Sequence, residues 1–315
     1  MALPLSIEAL VIVFPFAFSL VLLSIVRKTE IYCREPWPWV LSTFIYGSTF
    51  AVFLAMIISE GASIFLGLLA LPPTLFTLAT AVVVAPIVEE SLKATGVLSA
   101  RSKLTEVENG IIYGSAVGLG FSATENILYF VSAYYMAGAV ALISSILLRF
   151  MTSTFLHLGA SGVAGYGIGI ANVQRAAGIK PIDWRPYLFA AMGLHSLFNF
   201  ISFLPALLSG QYSTEILVAS FLMGIVMVWL VFIILRRKIK TLDRTSGCAV
   251  QGSPPISPSA ANLWRNSKLP FFQRRPGAPL PSPGSISPVS SGSFCEALHG
   301  GGRDRRLRHS QDPRL

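Results

Sequence analysis

Apolar positions along this chain fall into long runs, and the polar ones collect between them. The runs cover about Leu5 to Val26, Trp39 to Ser59, Thr74 to Leu98, Val107 to Ala133, Val140 to Ala171, Pro186 to Leu208 and Ile216 to Leu235. Each is close to or above the roughly 20 residues that an α-helix needs to cross a bilayer. The second run has an extension from Ser63 to Ala70, and Leu71-Pro-Pro-Thr74 then separates it from the third, because proline cannot continue a helix. No stretch shows the roughly ten-residue dyad alternation of an outer-membrane barrel. The pattern predicts an all-α fold, a polytopic membrane bundle of about seven transmembrane helices. The first run has neither a basic segment before it nor a small-residue cleavage site after it, so it is expected to stay as an anchor.

Composition agrees. The 315 residues are 53% hydrophobic and 12% charged, with a mean hydropathy of +0.65. Of the net charge of +9, the stretch from Thr241 onward carries +6, from ten basic and four acidic residues. That stretch is rich in Pro, Ser, Gly and Arg and too poor in apolar residues to offset the entropy of ordering it. The expected organisation is a membrane domain over 1–240 and a disordered, basic cytoplasmic tail over 241–315.

Twelve of the fourteen basic residues up to Lys240 lie in four loops. These are Arg27, Lys28 and Arg34; Arg101 and Lys103; Arg175, Lys180 and Arg185; and Arg236, Arg237, Lys238 and Lys240. The intervening loops near 60–73, 134–139 and 209–215 hold none. By the positive-inside rule the N-terminus lies outside and the C-terminus is cytoplasmic. Topology thus accounts for the body's basic residues, and no nucleic-acid partner is expected. Cys33, Cys248 and Cys295 are odd in number and scattered, which suggests neither a disulfide framework nor a zinc site.

The candidate chemistry is the set of polar groups inside the apolar runs. The third run contains Glu89, Glu90 and Lys93. Ionisable groups at membrane depth cost about 3 kcal/mol or more unless something pairs with them or uses them. Glu89 and Lys93, four apart, share a helix face, while Glu90 is turned toward a neighbouring helix. The fourth run carries Gly110, Gly114, Gly118, Ser122 and Asn126 at four-residue intervals, a stripe that admits close helix approach, with Glu125 beside it. The fifth repeats the interval with Ser153, His157, Ser161, Gly165 and Gly169, and the sixth places His195 and Asn199 on one face. Most of these groups are expected to converge on Glu89 and Glu90. Arg149 is expected near the outer interface. Counting from the cytoplasmic ends puts Glu89 and His195 in the inner half of the membrane and Glu125 nearer the outer half. A proton- or ion-coupled transporter using the buried Glu, His and Lys groups is the alternative reading.

Glu89-Glu90-xx-Lys93, Phe121-xxx-Glu125-Asn126, His157 and His195-xxx-Asn199 together resemble the PrsW family of intramembrane proteases. That family is related to the group containing the CAAX prenyl endopeptidases and Abi-type proteins. The resemblance covers roughly residues 80 to 200 and implies a prokaryotic plasma-membrane enzyme that cleaves membrane-anchored proteins of the anti-sigma-factor kind. With it goes a glutamate-type mechanism. Glu89, with Glu90 beside it, activates a water; His157 orients the carboxylate or the water; His195 and Asn199 donate to the developing oxyanion; Glu125, Asn126 and Lys93 support. No metal or other cofactor is favoured, although His157, His195 and a glutamate are an adequate donor set for zinc.

Overall fold

Proline and cap chemistry start most of the helices. The computed structural model describes residues 5–32, 34–208 and 213–250. Helix α1 is Leu5–Arg27. Helix α2, Trp37–Gly67, begins after Pro36 and contains a π-helical turn at Gly47–Ala51. Helix α3, Pro73–Ser99, begins on the Pro72-Pro73 pair and has a π-helical turn at Ala79–Val84. Helix α4 is Val107–Met151, capped by a reciprocal pair of bonds between Glu106 and Asn109. Helices α5, α6 and α7 are Ser153–Ala176, Arg185–Leu207 and Ser213–Val250.

Six helical stretches among the described residues are long and apolar enough to cross a membrane, and the chain is an integral membrane protein. The fourth stretch, Val107–Ala176, has 70 residues and folds back on itself. Its turn is at Ala137 and Gly138, where Gly138 takes φ +74°, a conformation that favours glycine. The arm 139–151 then returns along the first arm, so that Phe130 packs against Leu142, Ile146 and Phe150. A second break at Thr152 leads into α5. The fourth and fifth expected spans are the two arms of this stretch, and a count of seven is approximate for that reason.

The first arm of α4 is the axis of the bundle, and every residue from Val107 to Ala123 is buried. Glycines let its neighbours come close. A Cβ on Gly110, Gly114 or Gly118 would overlap the carbonyl oxygen of Gly165, Ser161 or His157 respectively, all on α5. On the opposite face, a Cβ on Gly120 would overlap the Phe44 carbonyl, and one on Gly47 the Val117 carbonyl. Helix α4 is therefore held at backbone contact between α2 and α5, as small residues permit inside membranes.

Beside the basic loops lies an acidic end. Glu30 and Glu35 follow α1, Glu106 caps α4, and Asp243 of α7 accepts hydrogen bonds from the backbone N–H of Ile31 (2.8 Å) and Tyr32 (3.2 Å). Burial pushes the carboxyl groups of Glu30 up to about 9, Glu35 to about 7 and Glu106 to about 6. Helix α7 continues past the boundary expected at Lys240, with Leu242 and Asp243 buried. The tail expected over 241–315 lies outside the described residues from 251 onward, as do Cys33, Cys295 and the side chain of Cys248.

The glycine contacts give a graded prediction. Gly118→Ala should destabilise the protein by about 1–3 kcal/mol, because its methyl group meets backbone rather than a movable side chain. Gly193→Ala on α6, with nothing within 4 Å of the added carbon, should be neutral. Thermal unfolding in detergent tests the difference.

Candidate active site

Four helices bring their polar groups to one place. On α3, Glu89 and Glu90 are adjacent and Lys93 lies one turn on, and the fully buried Lys93 Nζ contacts Glu89 Oε2 at 3.1 Å and Glu90 Oε1 at 2.9 Å. The same ammonium lies 2.7 Å from His157 Nδ1 on α5 and 4.0 Å from the centre of the Phe121 ring on α4. On α6, His195 Nδ1 lies 2.9 Å from Glu90 Oε1. Ser161 donates to the other Glu90 oxygen at 3.2 Å. Glu90 thus faces neighbouring helices, as its position one step round from Glu89 requires.

The hydrogen-bond pattern determines the form of His157. Lys93 is only a donor, so Nδ1 accepts from it. Nε2, 2.8 Å from Glu125 Oε2, carries the proton and donates. Behind it stands Arg149, whose Nη2 lies 2.7 Å from Glu125 Oε2 and whose Nε donates to Asn126 Oδ1 at 2.5 Å. The guanidinium also covers the Tyr129 ring at 3.7 Å. Asn126 donates to Thr154 Oγ1 at 3.1 Å and to Ser122 Oγ at 3.3 Å. A continuous chain therefore runs from Arg149 through Glu125 and His157 to Lys93 and the two glutamates.

Several expectations change in the light of this geometry. Arg149 is not an isolated interfacial group. The turn at Gly138 lies midway between it and Glu125, and the returning arm brings the two together. Glu125 lies level with His157 rather than apart from the centre. Gly96 of α3 packs beside Val117 of α4, so α4 begins about seven residues, roughly 10 Å, further toward the basic loops than α3 ends. Counting each helix from its own end overstates the depth of Glu125. Asn199, expected as an oxyanion donor, instead donates to the Ala81 carbonyl at 2.8 Å. Ala81 lies in the π-helical turn of α3, five residues before Pro86, which has no N–H to give to a π-helical carbonyl. Asn199 satisfies a backbone group of this irregular turn and so holds α3 in place. Ser161 entered the sequence reading only through the small-residue stripe, and nothing in its spacing revealed the bond to Glu90.

Glu89, Glu90, His157 and His195 each offer one ligand atom, and the four atoms lie within 4.8 Å of one another. Glu90, His157 and His195 are almost fully enclosed, whereas the Glu89 side chain retains 12% exposure. Two imidazoles and two carboxylates are the donor types that a divalent metal takes, and the Lys93 ammonium, within 3.1 Å of Glu89, Glu90 and His157, would have to turn aside for an ion to reach them. The contact from Glu125 to the far nitrogen of His157 is the support that metal-ligating histidines use.

A family model described as the PrsW family intramembrane metalloprotease matches residues 35–235. The chain belongs to this family. Membership makes it an intramembrane protease, a peptide hydrolase acting on membrane-protein substrates. The match covers α2 to most of α7 and so contains every residue of the centre. The family's description names a metalloprotease, whereas the residues read alone favour a metal-free glutamate mechanism. In the same comparisons no curated protein and no solved structure matched the chain.

The role of Lys93 in this PrsW centre is testable through stability. Lys93→Met leaves Glu90 enclosed without its cation and should cost about 3–5 kcal/mol. The double substitution Glu90→Gln with Lys93→Met should recover most of that loss in a denaturation series. A strictly additive result would mean the two groups are not coupled.

Proposed function

We propose that the protein is an intramembrane endopeptidase that cleaves membrane-anchored proteins by adding water to a peptide carbonyl at the Glu89–Glu90–His157–His195 group. The observation that carries this reading is the convergence of those four donors on one enclosed point, with Glu89 alone partly open. Glu89 is the general base: its carboxylate takes the proton from the attacking water and hands it to the leaving amine. Glu90, His157 and His195 would hold a divalent metal, zinc by donor type, which when bound polarises the carbonyl and acidifies water.

The remaining residues position this group. Glu125 keeps the His157 proton on Nε2 and so leaves Nδ1 turned to the centre. Arg149 and Asn126 hold Glu125. Asn199 fixes the π-helical turn that presents Glu89 and Glu90. His195 remains the side chain best placed to donate to a developing oxyanion when it is not a ligand. We further propose a prokaryotic plasma-membrane location with the N-terminus outside and the basic loops inside, supported by the distribution of Arg and Lys between alternate loops. Proteins anchored by a single span, of the anti-sigma-factor kind, are the proposed substrates.

The test uses the full chain in liposomes with a panel of single-span reporter proteins. Glu89→Gln should reduce cleavage by about 10²–10⁴-fold, the usual contribution of a general base. Arg149→Gln should reduce it about tenfold while leaving the pH dependence in place, and a chelator should abolish it until zinc is restored. Cleavage that survives Glu89→Gln would overturn the assignment. Proton or ion flux that depends on Glu89, with no cleavage of any reporter, would point to transport instead.

A further inference from the structure

A second group of carboxylates lies at the other end of α4. Glu30, after α1, and Glu106 and Glu108, at the start of α4, each offer an oxygen within 4.8 Å of the others. From Glu108 to Glu125 there are 17 residues of helix, or about 25 Å, so this group is separate from the intramembrane centre.

The local bonds do not account for it. Glu30 Oε2 accepts from the Glu35 N–H at 2.6 Å, and Glu30 Oε1 accepts weakly from Asn109 Nδ2 at 3.4 Å. Glu106 accepts from the Asn109 backbone in the cap of α4, and its N–H is taken by Asn109 Oδ1 at 2.6 Å. What remains is Glu106 Oε2 and Glu108 Oε1, both buried and without any hydrogen-bond partner. The Glu108 side chain belongs to a residue with 1% exposure, and Glu30 has none.

The nearby arginines do not neutralise the group. Arg27 Nε donates to the Glu35 carbonyl at 2.5 Å, Arg34 Nε to the Glu30 carbonyl at 3.0 Å, and Arg236 Nε to Thr29 Oγ1 at 3.2 Å. Among the described residues no ion pair involves Glu30, Glu106 or Glu108. A buried carboxylate oxygen with neither donor nor cation is costly. Three convergent carboxylates, two of them with an unsatisfied oxygen, form the hard, all-oxygen donor set of calcium, whereas magnesium retains more water and takes fewer carboxylates.

We propose that Glu30, Glu106 and Glu108 bind a calcium ion that clasps the segment after α1 to the first turn of α4. The ion holds the base of the helix that carries Phe121, Glu125 and Asn126, and it stabilises the fold without touching the reacting groups.

The experiment measures ⁴⁵Ca²⁺ binding and thermal unfolding on the purified full chain in detergent. Wild type should bind about one calcium per chain and melt about 5 °C higher with calcium than with chelator. Glu108→Gln and the less enclosed Glu106→Gln should each weaken binding at least tenfold and lose the shift. In chelator they should melt at or above wild type, because a buried carboxyl oxygen without a hydrogen-bond partner has been removed; a merely structural carboxylate would give a lower value. Glu89→Gln should keep both binding and shift. No saturable binding, binding retained in both variants, or binding lost in Glu89→Gln would each overturn the site.

Discussion

A single buried ammonium organises the membrane-embedded centre. Lys93 is fully enclosed, and its three donors meet Glu89, Glu90 and His157, while Phe121 covers a further side. Without it, two carboxylates one residue apart would face each other in a low-dielectric interior, a charge arrangement that no packing offsets. With it, Glu90 can also receive His195 and Ser161, and His157 is fixed in one tautomer between Lys93 and Glu125. The helices carrying these groups must then approach closely, and the glycine contacts of α4 against α5 and α2 allow this. The stripe of small residues and the polar centre are parts of one device, since the stripe sets the distance that the ion pairs need.

The helical nature of the fold and most of the centre can be read from periodicity. Glu89 and Lys93 at four residues, the glycine intervals of α4 and α5, and His195 within an apolar run each require their place on a helix face. The features that escaped depend on irregular backbone. Arg149 reaches Glu125 only because Gly138 takes a left-handed conformation and the following arm turns back. Asn199 is drawn to Ala81 by a π-helical turn that no residue pattern marks. Counting residues from each helix end overstates the depth of Glu125, because α4 extends further toward the basic loops than α3, an offset set by packing of Gly96 beside Val117.

The two ends of α4 use carboxylates in different ways. At the membrane-embedded end, a lysine and an arginine neutralise them, and two histidines and a serine bond to them. At the other end, the arginines turn to backbone carbonyls and leave Glu106 and Glu108 with unsatisfied oxygens. The first arrangement favours chemistry on a positioned water, and the second favours a bound cation that closes the base of the bundle.

The proposed chemistry depends on Glu90, His157 and His195 holding a metal beside the base Glu89. The most direct measurement is the zinc content of purified, proteolytically active protein, taken together with that of His157→Ala and His195→Ala variants. About one zinc per chain in wild type, falling to a small fraction in both variants, is the predicted result. Full activity in wild type protein containing far less than one metal ion per chain would contradict it and return the chemistry to the glutamates alone.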